Sequence, residues 1–469
     1  MQSDVRVVEA RGYFIETKAR TPLKFGAVVM DSVMYAQVRV ELETRSGKRA
    51  AGWGGMFLAD VWAFPDDRVP QAQRVAAMMA VTRRYCRLAE EHGMFGHPID
   101  LYFEVEEGLR ELAAETSEEL KLAVPLPFLA ALVSASPVDA AVHDAFGAAN
   151  GISTYDGYGP EFMDHDLSRY LGPGFKGKYV GDYVRKSYEA RVPVFHLVGG
   201  LDKLRRSELD DSDPKDGLPN SLDEWIERDG LFCLKVKLRG NDLAWDVERL
   251  LEVAAVAREA QARIGEERLH LTADTNEMCE SPEYIVEMLE RVREREAEVF
   301  DKILYVEQPT ERDLAARRLD MRPIAKLKPV LVDESLTGLA DFELAMELGW
   351  SGVALKACKC QSPELVIAAR AEEMGIPYAI QDLTCPALAL LQSVGMAARL
   401  RPVMGVEANS HQFFPAASEP EAAVHRGIFR RREGVLETGS LKGPGLGFQI
   451  EEIARELPAA DGGAARSEI

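Results

Sequence analysis

Seven charged side chains recur through the second half of the 469-residue chain, each at or just after the end of a short apolar run: Lys237, Asp274, Glu307, Asp333, Lys356, Asp382 and Glu407. The gaps between them are 37, 33, 26, 23, 26 and 25 residues. Three successive carboxylates, Asp274, Glu307 and Asp333, would repel one another in a low-dielectric cleft unless a cation sat among them. With no His or Cys at these positions, the donors suit a hard ion such as Mg²⁺ better than zinc. The flanking lysines suit proton transfer. A lysine at its ordinary pKa of about 10.4 is a poor base near neutrality, but a neighbouring ammonium or metal ion lowers it. Lys235 and Lys237 stand two apart on an expected strand and so point the same way; Lys235 is expected to tune Lys237. This set is equipped to remove a proton from carbon next to a carboxylate, with a metal stabilising the enediolate. Bases on both faces of that planar intermediate permit racemisation, or removal and return of a proton on chosen faces. Any one of these residues alone reads as an ordinary ion pair or a solvated lysine; three acids and two lysines in strand order do not.

Bringing such residues together requires a fold that gathers strand ends. From about Val192, apolar runs alternate with amphipathic helical stretches. The runs are 192–198, 231–237, 269–273, 303–307, 329–333, 352–356, 376–381 and, more weakly, 402–406. The helices between them include Ala244 to Ala262, Pro282 to Ala297 and Pro363 to Met374. This alternation predicts a parallel sheet, and eight units predict an α/β fold of the (β/α) TIM-like barrel type, with its active site at the C-terminal strand ends. Residues 1–150 read as a separate α+β module, with strands to about residue 60 and then helices such as Gln71 to Gly93 and Thr116 to Leu132. Residues 151–190, rich in Gly and Tyr, read as a long ordered loop or lid. Within them, Asp164-His165-Asp166 reads as solvated loop rather than metal site. The barrel is expected over 191–420, and the tail beyond about Pro458 is expected to be disordered.

The formal net charge of −21 excludes the basic footprint that nucleic acid requires and argues against a membrane surface as partner. No apolar run of about 20 residues could span a bilayer, and MQSDVRVVEA lacks the apolar core of a signal peptide. The six cysteines are scattered without a metal-knuckle spacing, which fits a reducing cytoplasm.

Several segments carry a family resemblance: LKVKL (234–238), ADTN (273–276), VEQP (306–309), VDES (332–335), VALKACK (353–359), SPVDAAVHDAFG (136–147) and PGLGF (444–448). In these the chain resembles the enolase superfamily, within it the mandelate racemase and muconate lactonizing enzyme group. The resemblance implies that 1–150 caps the barrel and that 421–469 returns to that cap. It implies Mg²⁺ on Asp274, Glu307 and Asp333, and acid/base roles for Lys237 and Lys356. Lys235 would then touch the substrate carboxylate, with Asn276 and Glu334 supporting the metal ligands. Specificity loops would lie near Lys18 to Gly26 and Ala51 to Asp60, where Arg20, Lys24, Trp53 and Phe57 could meet a substrate's distal end. Asp382 and Glu407 would border the site, Glu407 at the place of an eighth-strand Glu. Three departures stand out. Gln381-Asp382 replaces a seventh-strand His, Lys356 stands where the His-Asp type carries Asp, and Gln361-Ser362 replaces the usual Gly-Gly. The resemblance is therefore closer to the muconate lactonizing, dual-lysine type: a racemase, epimerase or cycloisomerase acting on a small carboxylate, in a homo-oligomer. The alternatives are a lyase or dehydratase of a hydroxy or sugar acid, and a catalytically idle relative serving as a binding protein.

Overall fold

The structure, a computed structural model, describes the backbone of residues 1–25 and 28–460 and the side chains of 1–22 and 31–460. The rest of the expected disordered tail, 461–469, lies outside the described residues.

The chain opens with a three-stranded antiparallel sheet, β1 (Val5–Phe25), β2 (Val28–Thr44) and β3 (Arg49–Phe57), in the order β1-β2-β3. Val38, Val40 and Leu42 alternate along β2 and are fully buried, each worth roughly 1.5–3 kcal/mol relative to exposure. A single turn of helix (Asp60–Ala63) and three long helices follow, α1 (Gln71–His92), α2 (Pro98–Glu119) and α3 (Phe128–Asn150). The single helix expected from Thr116 to Leu132 is thus two, broken over 120–127. Pro125 and Pro127 in that stretch cannot donate to a helix and push their predecessors out of helical geometry. The sheet lies on α3 at very short range. A Cβ on Gly52 would fall 2.1 Å from the Ala145 nitrogen, and one on Gly54 would fall 2.1 Å from the Pro137 carbonyl oxygen. These two glycines set the distance between strand and helix.

The barrel is closed. Its parallel strands are β4 (Arg191–Val198), β5 (Cys233–Lys237), β6 (His270–Asp274), β7 (Ile303–Glu307), β8 (Val330–Val332), β9 (Gly352–Lys356), β10 (Tyr378–Gln381) and β11 (Val406–Glu407). They are ordered in sequence, with β11 pairing back to β4 through Val406–Val194 and Glu407–Phe195. The eighth strand, expected over 402–406, is only two residues long and one step later; Pro402 has no N–H for the ladder. The outer helices include α4 (Leu222–Asp229), α5 (Leu243–Ile264), α6 (Pro282–Arg295), α7 (Leu339–Glu347), α8 (Gln361–Met374) and α9 (Ala387–Arg399). Capping fixes their ends: the Asp242 side chain accepts from Trp245 N to start α5, and Gly265 at φ 73° ends it. A final strand, β12 (Val435–Glu437), runs antiparallel to β4, and Leu446 N and Gly445 N donate to Asp144 Oδ1 and Ile152 O at the end of α3. This is the expected (β/α) barrel with an N-terminal α+β cap and a C-terminal return to it.

The segment 151–190 runs down the flank of the barrel. It begins beside the start of α8, where Tyr158 meets Gln361. Lys178 and Tyr183 then bond Glu373 near the end of α8 (2.5 and 2.7 Å), and the Arg185 and Glu189 nitrogens donate to Arg399 and Ala398 carbonyls at the end of α9. Helices of a βα unit run opposite to their strands, so these contacts lead away from the C-terminal mouth. Gln361 and Ser362, which stand in place of Gly-Gly, are what hold the strap and the cap. Ser362 Oγ donates to Asp139 Oδ1 (2.7 Å), Ser362 Oγ lies 2.8 Å from His143 Nε2, His143 Nδ1 lies 2.9 Å from Tyr158 OH, and Gln361 Nε2 donates to Tyr158 OH (2.8 Å). The Gln361-Ser362 departure and the 151–190 segment therefore share one buried network. Asp164 pairs with the N-terminal ammonium (2.7 Å), and His165 with Asp100 (3.2 Å).

Candidate active site

Side chains alternate along the barrel strands, so alternate positions face inward. The lower interior is apolar, with Phe195, Cys233, Tyr305, Leu331 and Ala379 all buried. The polar positions are thereby confined to the upper end. There the second strand β5 delivers Lys235 and Lys237, β6 delivers Asp274, β7 Glu307, the end of β8 Asp333, the sixth strand β9 Lys356, and β11 Glu407. Second and sixth of eight are opposite, so Lys237 and Lys356 enter the mouth from facing sides.

The charges are interleaved. Lys237 Nζ donates to Asp274 Oδ2 (2.5 Å), and Lys356 Nζ donates to Asp333 Oδ2 (2.6 Å). Lys235, 2% exposed, reaches Glu407 Oε2 (2.7 Å), Glu307 Oε1 (2.8 Å) and Asp274 Oδ2 (3.0 Å). Burial works to lower the Lys235 pKa, but Glu307, Glu407 and Asp274 outweigh it and hold the ammonium well above its ordinary value. Lys356 is raised in the same way, chiefly by Asp333. For Asp274 and Asp333 burial works upward, yet the adjacent lysines hold both below the usual carboxylate range. Beside its expected place next to Lys237, Lys235 stands in the folded chain as counter-charge to three carboxylates.

A family model described as "Enolase C-terminal domain-like" matches residues 218–454, about half of the chain. The chain belongs to this family. Its fold is that of enolase-superfamily enzymes. Among solved structures it is similar to a dipeptide epimerase from Enterococcus faecalis V583 complexed with Mg and the dipeptide L-Leu-L-Tyr, at 16% identity and TM-score 0.60, covering 94% of this chain and 99% of that one. It is similar to an L-Ala-D/L-Glu epimerase from Bacillus subtilis at 16% identity and TM-score 0.58, covering 97% and 99%. It is also similar to an enolase from Bradyrhizobium complexed with magnesium and mandelic acid, at 16% identity and TM-score 0.60, covering 98% and 100%. No curated protein matches the sequence. Among the described residues no helix is long and apolar enough to cross a membrane.

Whether the residues of this enolase-like mouth suit a divalent cation can be judged from its charge balance. Among the described residues, seven carboxyl groups are buried here, Asp274, Glu307, Asp333, Glu334, Glu364, Asp382 and Glu407, against four ammonium groups, Lys235, Lys237, Lys356 and Lys359. The excess acids are forced toward their neutral forms. Burial pushes Glu307 up to about 7, and Glu334 and Glu364 each up to about 8; burial and Glu407 together push Asp382 well above the carboxylate range. A divalent cation is the alternative way to meet that deficit, and an all-oxygen donor set fits Mg²⁺ in kind. Among the described residues, no three His, Cys, Asp or Glu side chains stand in a metal-holding arrangement; Asp274, Glu307 and Asp333 are each paired with a lysine ammonium instead.

Other expected contacts fall elsewhere. Asn276 and Glu334 do meet, Asn276 Nδ2 donating to Glu334 Oε1 (3.3 Å). Asp382 ties its own loop to the one after β11, accepting from Thr384 N (3.0 Å) and Asn409 N (3.4 Å). Arg20 is not free for a substrate. It donates to both oxygens of Asp216 (2.5 and 2.9 Å), to the Leu218 and Pro219 carbonyls and to Asn220 Oδ1, clasping the cap to the loop after β4. The Lys24 side chain lies outside the described residues. Trp53 stacks on Tyr13 at 6.1 Å, and Phe57, fully buried, packs edge-on against Tyr35 and Phe414; both are packing residues of the cap.

Among the described residues, Trp62 of the cap reaches the mouth, just beyond the expected loop. Its Nε1 donates to Glu334 Oε1 (2.9 Å), and its ring lies 4.7 Å from Lys356 Nζ. It borders a cavity of about 640 Å³ between cap and barrel, also lined by Asn276, Glu277, Arg312 and Glu334. Sequence reasoning also passed over Lys359, Gln381 and Asn409. Gln381 Nε2 donates to Glu307 Oε2 (2.5 Å), and Asn409 Nδ2 to Glu407 Oε1 (2.7 Å). A neutral amide one position before or two positions after a strand-end acid was the signal available.

Proposed function

We propose that this protein abstracts the proton alpha to a carboxylate of a small molecule, through an enediolate, with Lys237 and Lys356 as acid and base on opposite faces. The observation that carries this reading is their placement on the second and sixth of eight closed strands, each against a carboxylate of the same mouth. Asp274, Glu307 and Asp333 would hold Mg²⁺, which when bound supplies positive charge to the enediolate oxygens and lowers the pKa of nearby lysines. The lysine left neutral receives the proton from carbon. The facing ammonium returns one, so inversion at that carbon is the natural outcome of two bases. Lys235, charged and buried, keeps Glu307 and Glu407 in place. The apolar plug beneath closes the floor to water. A lysine on the sixth strand, with no His beside Asp382 in Gln381-Asp382, supports the dual-lysine type: racemase, epimerase or cycloisomerase rather than a His-Asp enzyme. The cavity beside Trp62 gives room for the distal part of a substrate of dipeptide or aryl-acid size, the classes bound in the similar epimerase and enolase structures.

The test is exchange of the alpha proton with deuterated solvent across a library of N-acyl amino acids, dipeptides, acid sugars and cyclic carboxylates, with and without Mg²⁺. On a compound that exchanges, Lys237→Ala and Lys356→Ala should each abolish exchange from one face, and inversion should fail in both. Undiminished exchange in both variants refutes the assignment. Loss of water instead of inversion would place the same enediolate in a lyase.

A further inference from the structure

Lys359 has no role in the chemistry above, yet it is one of the most deeply buried ammonium groups in the molecule, 1% exposed. It lies three residues past Lys356. The strand ends, a single 3-10 turn (Ala357–Lys359) follows, and Cys360, held at φ 73°, redirects the chain into α8. That turn carries Lys359 back across the end of the neighbouring strand β8. Its Nζ donates twice to one residue, to the Asp333 carbonyl oxygen (2.6 Å) and to Asp333 Oδ1 (3.1 Å). The other carboxylate oxygen, Oδ2, is the one that Lys356 takes at 2.6 Å.

We infer that Lys359 is a positioning residue: by gripping the main-chain and side-chain oxygens of Asp333 together, it fixes that carboxylate so that Oδ2 is presented to Lys356 and to the mouth. This rests on the function proposed above. A single ammonium bound to both oxygens of one aspartate locks the side-chain torsions between them, which a lone ion pair does not. Two of the three Lys359 N–H donors go to Asp333, one to its main chain and one to its side chain. Lysine suits the task because its ammonium is a compact point donor that two oxygens of different direction can share, where a planar guanidinium would demand coplanar acceptors.

A positioning role and a merely electrostatic one predict opposite changes in Mg²⁺ binding. Removing a positive charge beside a cation ligand would tighten binding if charge alone mattered. Releasing the carboxylate from its orientation should weaken it, and outer groups that orient ligands typically contribute 10–100-fold. The experiment is calorimetric Mg²⁺ titration of the full-length wild type, Lys359→Met and Lys359→Gln, with circular dichroism to establish folding. We expect 10–100-fold weaker Mg²⁺ binding in Lys359→Met and a smaller loss in Lys359→Gln, whose amide keeps an N–H for the Asp333 carbonyl. On an exchanging substrate, kcat should fall with KM little changed. Mg²⁺ affinity equal to or tighter than wild type in a folded variant overturns the inference. If Lys359→Met does not fold, Lys359→Gln alone decides by the same criterion. Failure of the wild type itself to bind Mg²⁺ would instead overturn the metal reading on which the inference stands.

Discussion

Replacing Lys235 with methionine tests the charge architecture of the mouth directly. The substitution keeps most of the side-chain length and removes the ammonium from among Glu407, Glu307 and Asp274, at 2.7, 2.8 and 3.0 Å. Three separate buried pairs would each be costly to break, but none of these acids is left bare. Asp274 keeps Lys237 (2.5 Å) and Asn276 N (2.8 Å), Glu307 keeps Gln381 Nε2 (2.5 Å), and Glu407 keeps Asn409 Nδ2 (2.7 Å). The expected loss is therefore that of one broken buried pair, about 3–5 kcal/mol. Lys237→Met serves as the comparison. Lys237 is 8% exposed and among the described residues donates only to Asp274, which Lys235 still holds, so about 1–2 kcal/mol is expected. Urea denaturation followed by circular dichroism, at neutral pH without divalent metal, measures both. A loss below about 1 kcal/mol for Lys235→Met, or a larger loss for Lys237→Met than for Lys235→Met, would refute the view that Lys235 is the central counter-charge.

Trp62 separates a hydrogen bond from an aromatic contact. Trp62→Phe loses the donor to Glu334 Oε1 (2.9 Å) and should cost about 1.5–3 kcal/mol. Trp62→Ala also loses the ring beneath Lys356 and should cost at least about 2 kcal/mol more in the same denaturation assay; equal losses would remove Trp62 from the mouth. His97 gives a pH test. Burial, with His143 adding repulsion, pushes its pKa down to about 3, and its ring accepts from Ile99 N (3.3 Å) and faces the Gly157 carbonyl (3.2 Å). It stays neutral in the fold, while in the unfolded chain it takes up a proton below about 6.5. Its contribution to stability is therefore present at neutral pH and lost on acidification. Between pH 7 and 5 the wild type should lose about 2 kcal/mol through this residue that His97→Gln does not lose. Parallel pH dependence of the two proteins by urea denaturation would contradict the assignment.

Much of this protein was legible in its residues. The period of apolar runs predicts the barrel because parallel strands buried on both faces must be nearly continuous in apolar residues, and the strand-end acids and lysines stand out against them. The order of those residues along the chain settles that Lys237 and Lys356 oppose each other once the sheet closes. What the sequence leaves open depends on distances between segments far apart in it. Arg20 reads as a free cation in a loop, and only folding places Asp216 and three further acceptors around it. Trp62 lies just outside the expected contact loop, and only the docking of cap on barrel sets it against Lys356. Gln361 and Ser362 read as a departure, and 151–190 as a long ordered loop or lid; folding joins them through Tyr158 and His143 into a strap on the barrel's flank. Lys359 reads as one more lysine in VALKACK until a single turn aims it at Asp333. Local periodicity fixes what each strand end carries, because side-chain direction follows from backbone geometry. Which ammonium meets which carboxylate is decided by packing, because a buried charge takes the partner the tertiary fold brings within reach.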